Sequence, residues 1–378
     1  MRNTVGSDNV MTVSAEHGLV RQEEYFSKRV ASDKLDGYWL LQPGDFVYNK
    51  SASKGAPWGV CARNDTSAPA VVTPLYIPFR PGPEVDSDYL VLALNSDQFF
   101  DSLASSLREG ARAHGALNVK IGEFFGARVP VPPRPVQTRI VKVVSAVDNQ
   151  ITALDAEVKS HERMVSALRA SIFSSLNHAT VPAGEKFAMQ LGRQKSARQS
   201  VGEYVRPYLR AANINPGALS LDDVQAMNFS PEEQKKYDLQ QGDIVLVEGG
   251  SVGQAARWSG EIEGFVGFDK HVIRLRPVAG RSTSEFALQW CHWARESHVF
   301  SDQATGITIK ALGFGRASRI SVPDVPYDEQ DALMAPLKAM DEYLAALRAE
   351  VAALKTYRNR LRSALLSREI EMSKIALA

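Results

Sequence analysis

Apolar residues recur at alternating spacings of four and three along two long tracts. The first runs Ile140, Val144, Val147, Ile151, Leu154, Val158, His161, Val165, Leu168 and Ile172. The second runs Leu333, Leu337, Met340, Leu344, Leu347, Val351, Leu354, Arg358, Leu361 and Leu365. Heptads sustained this long predict coiled-coil helices. His161 and Arg358 are the polar members of the two seams. A polar residue there either fixes register or snorkels at the helix edge. Pro336 lies inside the second tract and predicts a helix start near Ala335, because proline is tolerated in a first turn. The rest of the chain is mixed. Short apolar runs such as DYLVLAL (Asp88 to Leu94) and DIVLV (Asp243 to Val247) are broken by Gly, Pro and Ser. They predict strands and turns with a few helices.

The pattern is written twice. LQPGDFV (Leu41 to Val47) returns as LQQGDIV (Leu239 to Val245), an offset of 198. VPVPPRPVQ (Val129 to Gln137) returns as VPDVPYDEQ (Val322 to Gln330), and from there the offset holds at 193 through both heptad tracts. Gln137, Asp148 and Arg169 thereby match Gln330, Asp341 and Arg362. The period is too long for a solenoid, so each copy is a domain plus a connecting helix. The repeated Gly-Asp reads as a tight turn feeding a strand, since Gly tolerates positive φ and Asp caps turn backbone.

These observations predict a mixed α/β (α+β) chain with an internal pseudo-two-fold repeat. Domains over 1–132 and 179–325 alternate with spacer helices over 133–178 and 326–378. The linker NHATVPAG after the first helix is short. The second helix therefore returns along the first, as an antiparallel rod of about 48 Å between Ile140 and Ile172 at roughly 1.5 Å per residue. The two copies agree in their helices and lead-in motifs and differ in their domains. That implies one partner type bound twice and two different targets. The first domain has only 43 residues before Gly44, against roughly sixty in the second, and has no counterpart of YLRAANI. Its N-terminus is expected to be clipped, with an edge strand or opening helix missing.

Composition changes this picture little. The 378 residues carry a net charge of +1, so no global field draws the chain to nucleic acid or membrane. Cys61 and Cys291 are the only cysteines; they suit a reducing compartment and make no disulfide framework. The opening MRNTVGSDNVM lacks a signal-peptide core, and no apolar run is long enough for a membrane span. The expected location is cytoplasmic. EGGSVG (Glu248 to Gly253) lacks the Lys-Ser/Thr of a P-loop. CHW (Cys291 to Trp293) with His298 lacks a second zinc ligand pair. No nucleophile elbow is present, nor an amino-methyltransferase motif. No catalytic, metal or cofactor site is expected in this chain.

The VPxxPxxxQ lead into a heptad helix, the duplicated layout, GDIVLVEGGSVGQAARW and YLRAANINPGALSLDDV (Tyr208 to Val224) together resemble the DNA-specificity subunit of type I restriction–modification systems. VSAEHGLVRQEEYFSKRVASDKLDGYWLLQPGDFVYN is similar to another version of that family's target-recognition domain. The resemblance covers nearly the whole chain. It implies two tandem target-recognition domains reading a bipartite double-stranded DNA sequence. It also implies a rod that docks two DNA-methyltransferase subunits, which restriction subunits can join. The chain itself would be non-catalytic, and S-adenosylmethionine would belong to the methyltransferase. The competing reading is a coiled-coil adaptor whose two domains bind proteins.

Candidate DNA contacts follow from charge and from base-edge chemistry. In the second domain they are Arg193, Lys195, Ser251, Gln254, Arg257, Lys270, Thr308 and Lys310, with His271, Arg198, Arg206 and Arg210 near them. Gln and Arg read base edges, against the simpler reading of EGGSVG as a Gly-rich hairpin and of the charges as solvated surface. In the first domain they are Lys50, Lys54, Arg63, Arg112, His114 and Lys120. Gln137, Asp148, Arg169, Gln330, Asp341 and Arg362 are candidate partner contacts because both copies keep them; the alternative is that they cap or solubilise the helices.

Overall fold

The computed structural model of the chain describes residues 2–371 except 16, 27–29, 33, 53–55, 108–116, 118, 196–200 and 307–309; the side chains of 104–107 also lie outside the described set. Two compact units are present, Met1–Ala153 with Glu350–Ala378, and Leu154–Ala349.

Unit 1 opens with a hairpin of β1 (Met11–Ser14) and β2 (Gly18–Arg21), followed by the short α1 (Gln22–Phe26). β3 (Trp39–Leu41) pairs antiparallel with β6 (Ala70–Val72). β4 (Phe46–Asn49) lies between β5 (Val60–Arg63) and β7 (Ile77–Phe79), antiparallel to both. Four helices follow: α2 (Ser87–Leu94), α3 (Asp97–Leu107), α4 (Ile121–Gly126) and the long α5 (Arg134–Ser175). The run DYLVLAL, one of the short apolar runs expected to give strands and turns with a few helices, is α2. A short apolar run fits a buried strand and a buried helix face equally. The capping Asp86 decides: its side chain accepts from the N–H groups of Asp88 and Tyr89.

Unit 2 continues with β8 (Thr180–Pro182), α6 (Ala183–Lys186) and β9 (Phe187–Leu191). β10 (Val205–Leu209), β11 (Ile214–Asn215), β12 (Ala218–Leu219), β13 (Gln225–Asn228) and α7 (Pro231–Tyr237) lead to β14 (Ile244–Val247). β15 (Ala255–Arg257), β16 (Gly267–Phe268) and β17 (Val272–Pro277) precede α8 (Ser284–Glu296). Last come α9 (Val299–Gln303), α10 (Phe314–Ala317), β18 (Ser321–Pro323) and the long α11 (Tyr327–Leu366). The main sheet has the order β15-β14-β17-β9, and a second sheet has the order β13-β10-β16. β8 pairs with β18 at the foot of α11.

The two main sheets share one plan. Phe46 pairs with Arg63 and Phe79 as Ile244 pairs with Arg257 and Leu275. Among the described residues, unit 1 has no strand in the positions of β8 and β9.

Each unit contains an antiparallel pair of segments from α5 and α11. In unit 1, Ile140 and Val144 pack in one cluster with Leu361, Leu365 and Leu366, and Arg358 Nε donates to Asp148 Oδ1 at 2.9 Å. In unit 2, Val165, Leu168 and Ile172 share a cluster with Leu333, Leu337 and Met340, and Arg348 Nη2 reaches Glu162 Oε1 at 2.6 Å. The apolar seams supply the driving force, since an exposed two-helix stripe would leave these side chains in water. α11 begins at Tyr327, earlier than the expected Ala335, and Pro336 sits inside it. Pro336 and Ala332, whose carbonyl loses its helical partner, are both exposed. Water can satisfy that carbonyl, while Met334 and Leu337 pack on the opposite face.

Candidate nucleic-acid interface

The repeated phrase builds the base of a hairpin in each unit. Gly44 and Gly242 hold φ of 82° and 95°, in the left-handed region that glycine tolerates. The next residue turns its carboxylate back on the turn. Asp45 Oδ2 accepts from Gln42 N at 2.8 Å, and Asp243 Oδ2 accepts from Gln240 N at 2.8 Å. An arginine at the end of the neighbouring strand then grips the same carboxylate with two parallel bonds. Arg80 reaches Asp45 at 2.6 and 3.0 Å, and Arg276 reaches Asp243 at 2.7 and 2.7 Å. Bidentate charge-assisted pairs of this kind fix geometry as well as energy. Arg80 and Arg276 were not singled out from sequence; superposing the strands after the repeated phrase would have aligned them.

With the base fixed, the tip of each hairpin meets a later loop. In unit 2, Gly250 N donates to Lys310 O at 3.0 Å and Glu248 N to His271 O at 2.8 Å. Glu248 Oε1 accepts from Gly313 N at 3.0 Å. Three loops far apart in sequence are stitched into one surface that exposes Ser251, Lys270, His271 and Lys310. Burial raises the Asp269 carboxyl above its ordinary value, against the His271 N–H and the charges of His271, Arg210 and Lys270 beside it. In unit 1, Leu117 N donates to Lys50 O at 2.8 Å, so the β4–β5 tip is tied to a later loop in the same manner.

Not every candidate lies on these tips. Lys54, Arg112, His114, Arg198 and Thr308 fall outside the described residues. Lys195 is exposed, with Nζ 3.2 Å from Gln225 Oε1, and Lys120 is exposed at the cap of α4. Lys50 and Gln254 are half-buried beside their hairpin tips. Arg193, expected on phosphate, is buried: it bonds Glu233 at 2.7 Å and the Asn228 carbonyl, and lies over Phe229. Its charge is consumed inside the unit. Arg63 and Arg257 sit at the hairpin bases, opposite Phe46 and Ile244. They face helix N-termini, Arg63 bonding Asp88 at 2.7 Å and Arg257 bonding Glu285 at 2.9 Å.

The candidate partner contacts are also corrected in part. Gln137 and Gln330 are buried, with their amides fully engaged inside the chain. Gln137 Oε1 accepts from Asp86 N at 2.7 Å, and its Nε2 donates to Pro132 O and Glu84 O at 2.7 and 3.3 Å. Gln330 does the same with Thr283 N, Val325 O and Arg281 O, each at 2.9 Å. Both copies keep this glutamine because it latches a long helix to its domain. Arg169 is likewise buried, bonding Gln289 at 2.9 Å, Glu296 at 2.5 Å and Asp341 at 3.4 Å. Asp148 pairs with Arg358. Arg362 is half-buried and has no hydrogen bond or ion pair among the described residues.

No family model matches the chain, and no curated protein matches it. Solved structures do. A structure described as revealing complex assembly and conformational transition of the type I R-M system aligns over 90% of this chain and 84% of its own, with 16% identity and a TM-score of 0.56. This chain shares the fold of that type I R-M protein. Looser matches are the HsdS subunit from Thermoanaerobacter tengcongensis (17% identity, 88% and 82% covered, TM-score 0.42) and the type I restriction-modification S subunit from M. genitalium (15%, 89% and 86%, TM-score 0.45). The fold assignment rests on the first. The chain's own mixed segments and two long helices, α5 and α11, are the arrangement expected from the heptads. No helix among the described residues is long and apolar enough to cross a membrane.

Proposed function

We propose that the chain is the non-catalytic DNA-specificity subunit of a type I restriction–modification complex. Residues 1–132 and 179–325 act as two target-recognition domains on the halves of a bipartite double-stranded DNA site. The spacer helices, 133–178 and 326–378, carry two DNA-methyltransferase subunits, to which restriction subunits can add. S-adenosylmethionine belongs to those partners.

One observation carries this reading. The frame is held by the same polar contacts in both copies, Asp45–Arg80 and Asp243–Arg276, Gln137 and Gln330, while the hairpin tips mounted on it differ in length and sequence. A repeated frame with divergent tips is what two different targets and one partner type require. Ser251, Lys270 and Lys310 on the second tip offer hydrogen-bonding and cationic groups suited to base edges and phosphates.

The test is methylome sequencing of a host that carries this chain with a type I methyltransferase subunit. A single bipartite motif is expected. Exchanging the loop 248–254 should change one half of the motif and leave the other half and the gap intact. A salt-insensitive complex with no sequence preference would instead favour the adaptor reading, because phosphate contacts release counterions.

A further inference from the structure

Unit 1 holds a cleft of about 470 Å³ between the β4–β5 hairpin, α2 and the end of α11; Trp58, Arg63, Leu92, Phe100, Arg358 and Arg362 are on its walls. Unit 2 holds one of about 600 Å³, with Arg257, Glu285, His292 and Arg169 on its walls. The latching glutamines show that the two are the same place in the duplicated frame. Gln137 bonds the N–H of Asp86, the cap of α2, and Gln330 bonds the N–H of Thr283, the cap of α8. Counting from these caps, Asp88 matches Glu285, Leu92 matches Gln289 and Asn95 matches His292. The contacts agree. Asp88 and Glu285 hold Arg63 and Arg257. Asn95 bonds the backbone of Cys61, and His292 that of Ala255.

One position breaks the agreement. Arg169 and Arg362 are repeat mates. Arg169 is enclosed by Gln289, Glu296 and Asp341. Arg362 has none of these. Leu92 stands where Gln289 does, α2 is too short to supply a Glu296, and Asp148, the mate of Asp341, is taken by Arg358. Burial and the neighbouring Arg358 charge hold the Arg362 guanidinium below its ordinary value. The Asp97 and Asp148 charges favour its charged form from a distance, but neither bonds it, and a partly buried arginine with no bonded acceptor is a ready site for one.

We propose that the unit 1 cleft seats an acidic side chain, glutamate or aspartate, from a protein subunit docked on the chain, completing on Arg362 the network that Arg169 completes internally. The proposal rests on the reading above that protein subunits dock beside the long helices. A carboxylate fits better than a DNA phosphate. Asp65 and Asp97 share the walls with Leu92, Phe100 and Trp58; they oppose any anion, and oppose the several charges of a DNA strand more than a single carboxylate held by Arg362. Unit 2 fills the equivalent position with Glu296, a side chain of this chemistry.

Two variants of the full chain test it. Leu92→Glu supplies the missing acid from within. It is expected to raise the Tm by about 3 °C, on the scale at which a modest stabilisation moves a domain of this size, and the gain should vanish in Leu92→Glu/Arg362→Gln. Calorimetric titration of the chain with the methyltransferase subunit should show Arg362→Gln and Leu92→Glu each binding about tenfold more weakly, with a flatter salt dependence. Unchanged affinity in both variants, or no rise in Tm, overturns the proposal. So does an Arg362→Gln complex that assembles normally but loses DNA affinity, since the occupant is then a phosphate. A wild-type chain that binds no methyltransferase subunit defeats the functional reading instead, a result distinct from a wild type that binds and a variant that binds equally well.

Discussion

Arg169 and Arg362 hold matching positions in the repeat, and the two units treat them oppositely. In unit 2 the guanidinium is 4% exposed and holds two carboxylates and an amide. In unit 1 its mate makes no hydrogen bond or ion pair among the described residues, and Asp148 bonds Arg358 instead. The helix cap, the latching glutamine and the arginine–acid pair on the hairpin base survive around both. Contacts to backbone and to adjacent strands have been kept through the divergence. Contacts that need a particular side chain on another helix have not. A duplicated frame thus separates what the fold requires from what one copy happens to use.

The largest expected effect follows from that contrast. Arg169→Met leaves Glu296 and Asp341 facing each other without a cation and should cost about 3–5 kcal/mol, the usual penalty for breaking a buried pair from one side. Arg362→Met should be neutral or slightly stabilising in the isolated chain. Chemical denaturation of both variants checks this, and equal losses would break the comparison. Next come the latches. Gln137→Ala and Gln330→Ala each remove the partner of three backbone groups, one of them in a buried bond, and should cost about 1–3 kcal/mol apiece. Here the two units should agree, and a loss in only one would mean that the latches are not equivalent.

Acid should separate the units again. Burial, reinforced by the Arg169 charge, lowers the His292 pKa from 6.5 to about 4. The unfolded chain then binds the proton that the folded chain refuses, so stability is retained above about pH 6.5 and lost as pH falls toward 4. By linkage the loss is about 2 kcal/mol between pH 7 and pH 5. Asn95, which does not titrate, holds the matching place in unit 1. His292→Asn should therefore flatten the pH dependence of the unit 2 melt; a profile unchanged by the substitution would show that another group controls it. The smallest effect on folding belongs to the loops. Lys270→Ala with Lys310→Ala should move stability by no more than about 0.5 kcal/mol, as surface changes do, while weakening DNA binding and reducing its salt slope.

Helices were the legible part of the fold. Their period survives in the sequence because one face must stay apolar over many turns, and even Pro336 did not hide it. α2 was not told apart from the strands because seven residues are too few to separate a strand from a helix face. The glutamines were found for a sound reason, their presence in both copies, yet their work is internal. Nothing along the chain distinguishes a buried amide from an exposed one. Arg193 failed in the same way: Glu233 and Phe229, which enclose it, lie forty and thirty-six positions away. Ser251, Lys270 and Lys310 were named singly. Only folding brings their loops together, through main-chain bonds that leave no trace in residue type.

Those main-chain bonds carry a last consequence at Gln137 and Gln330. Every acceptor and donor they grip belongs to the backbone. Such a clasp is blind to the residues it holds. A foreign domain that ends in the same loop geometry would meet the same clasp, whatever residues its loop carries. The clasp itself is therefore indifferent to what it joins, whereas Arg169, which needs Gln289 and Glu296, is not.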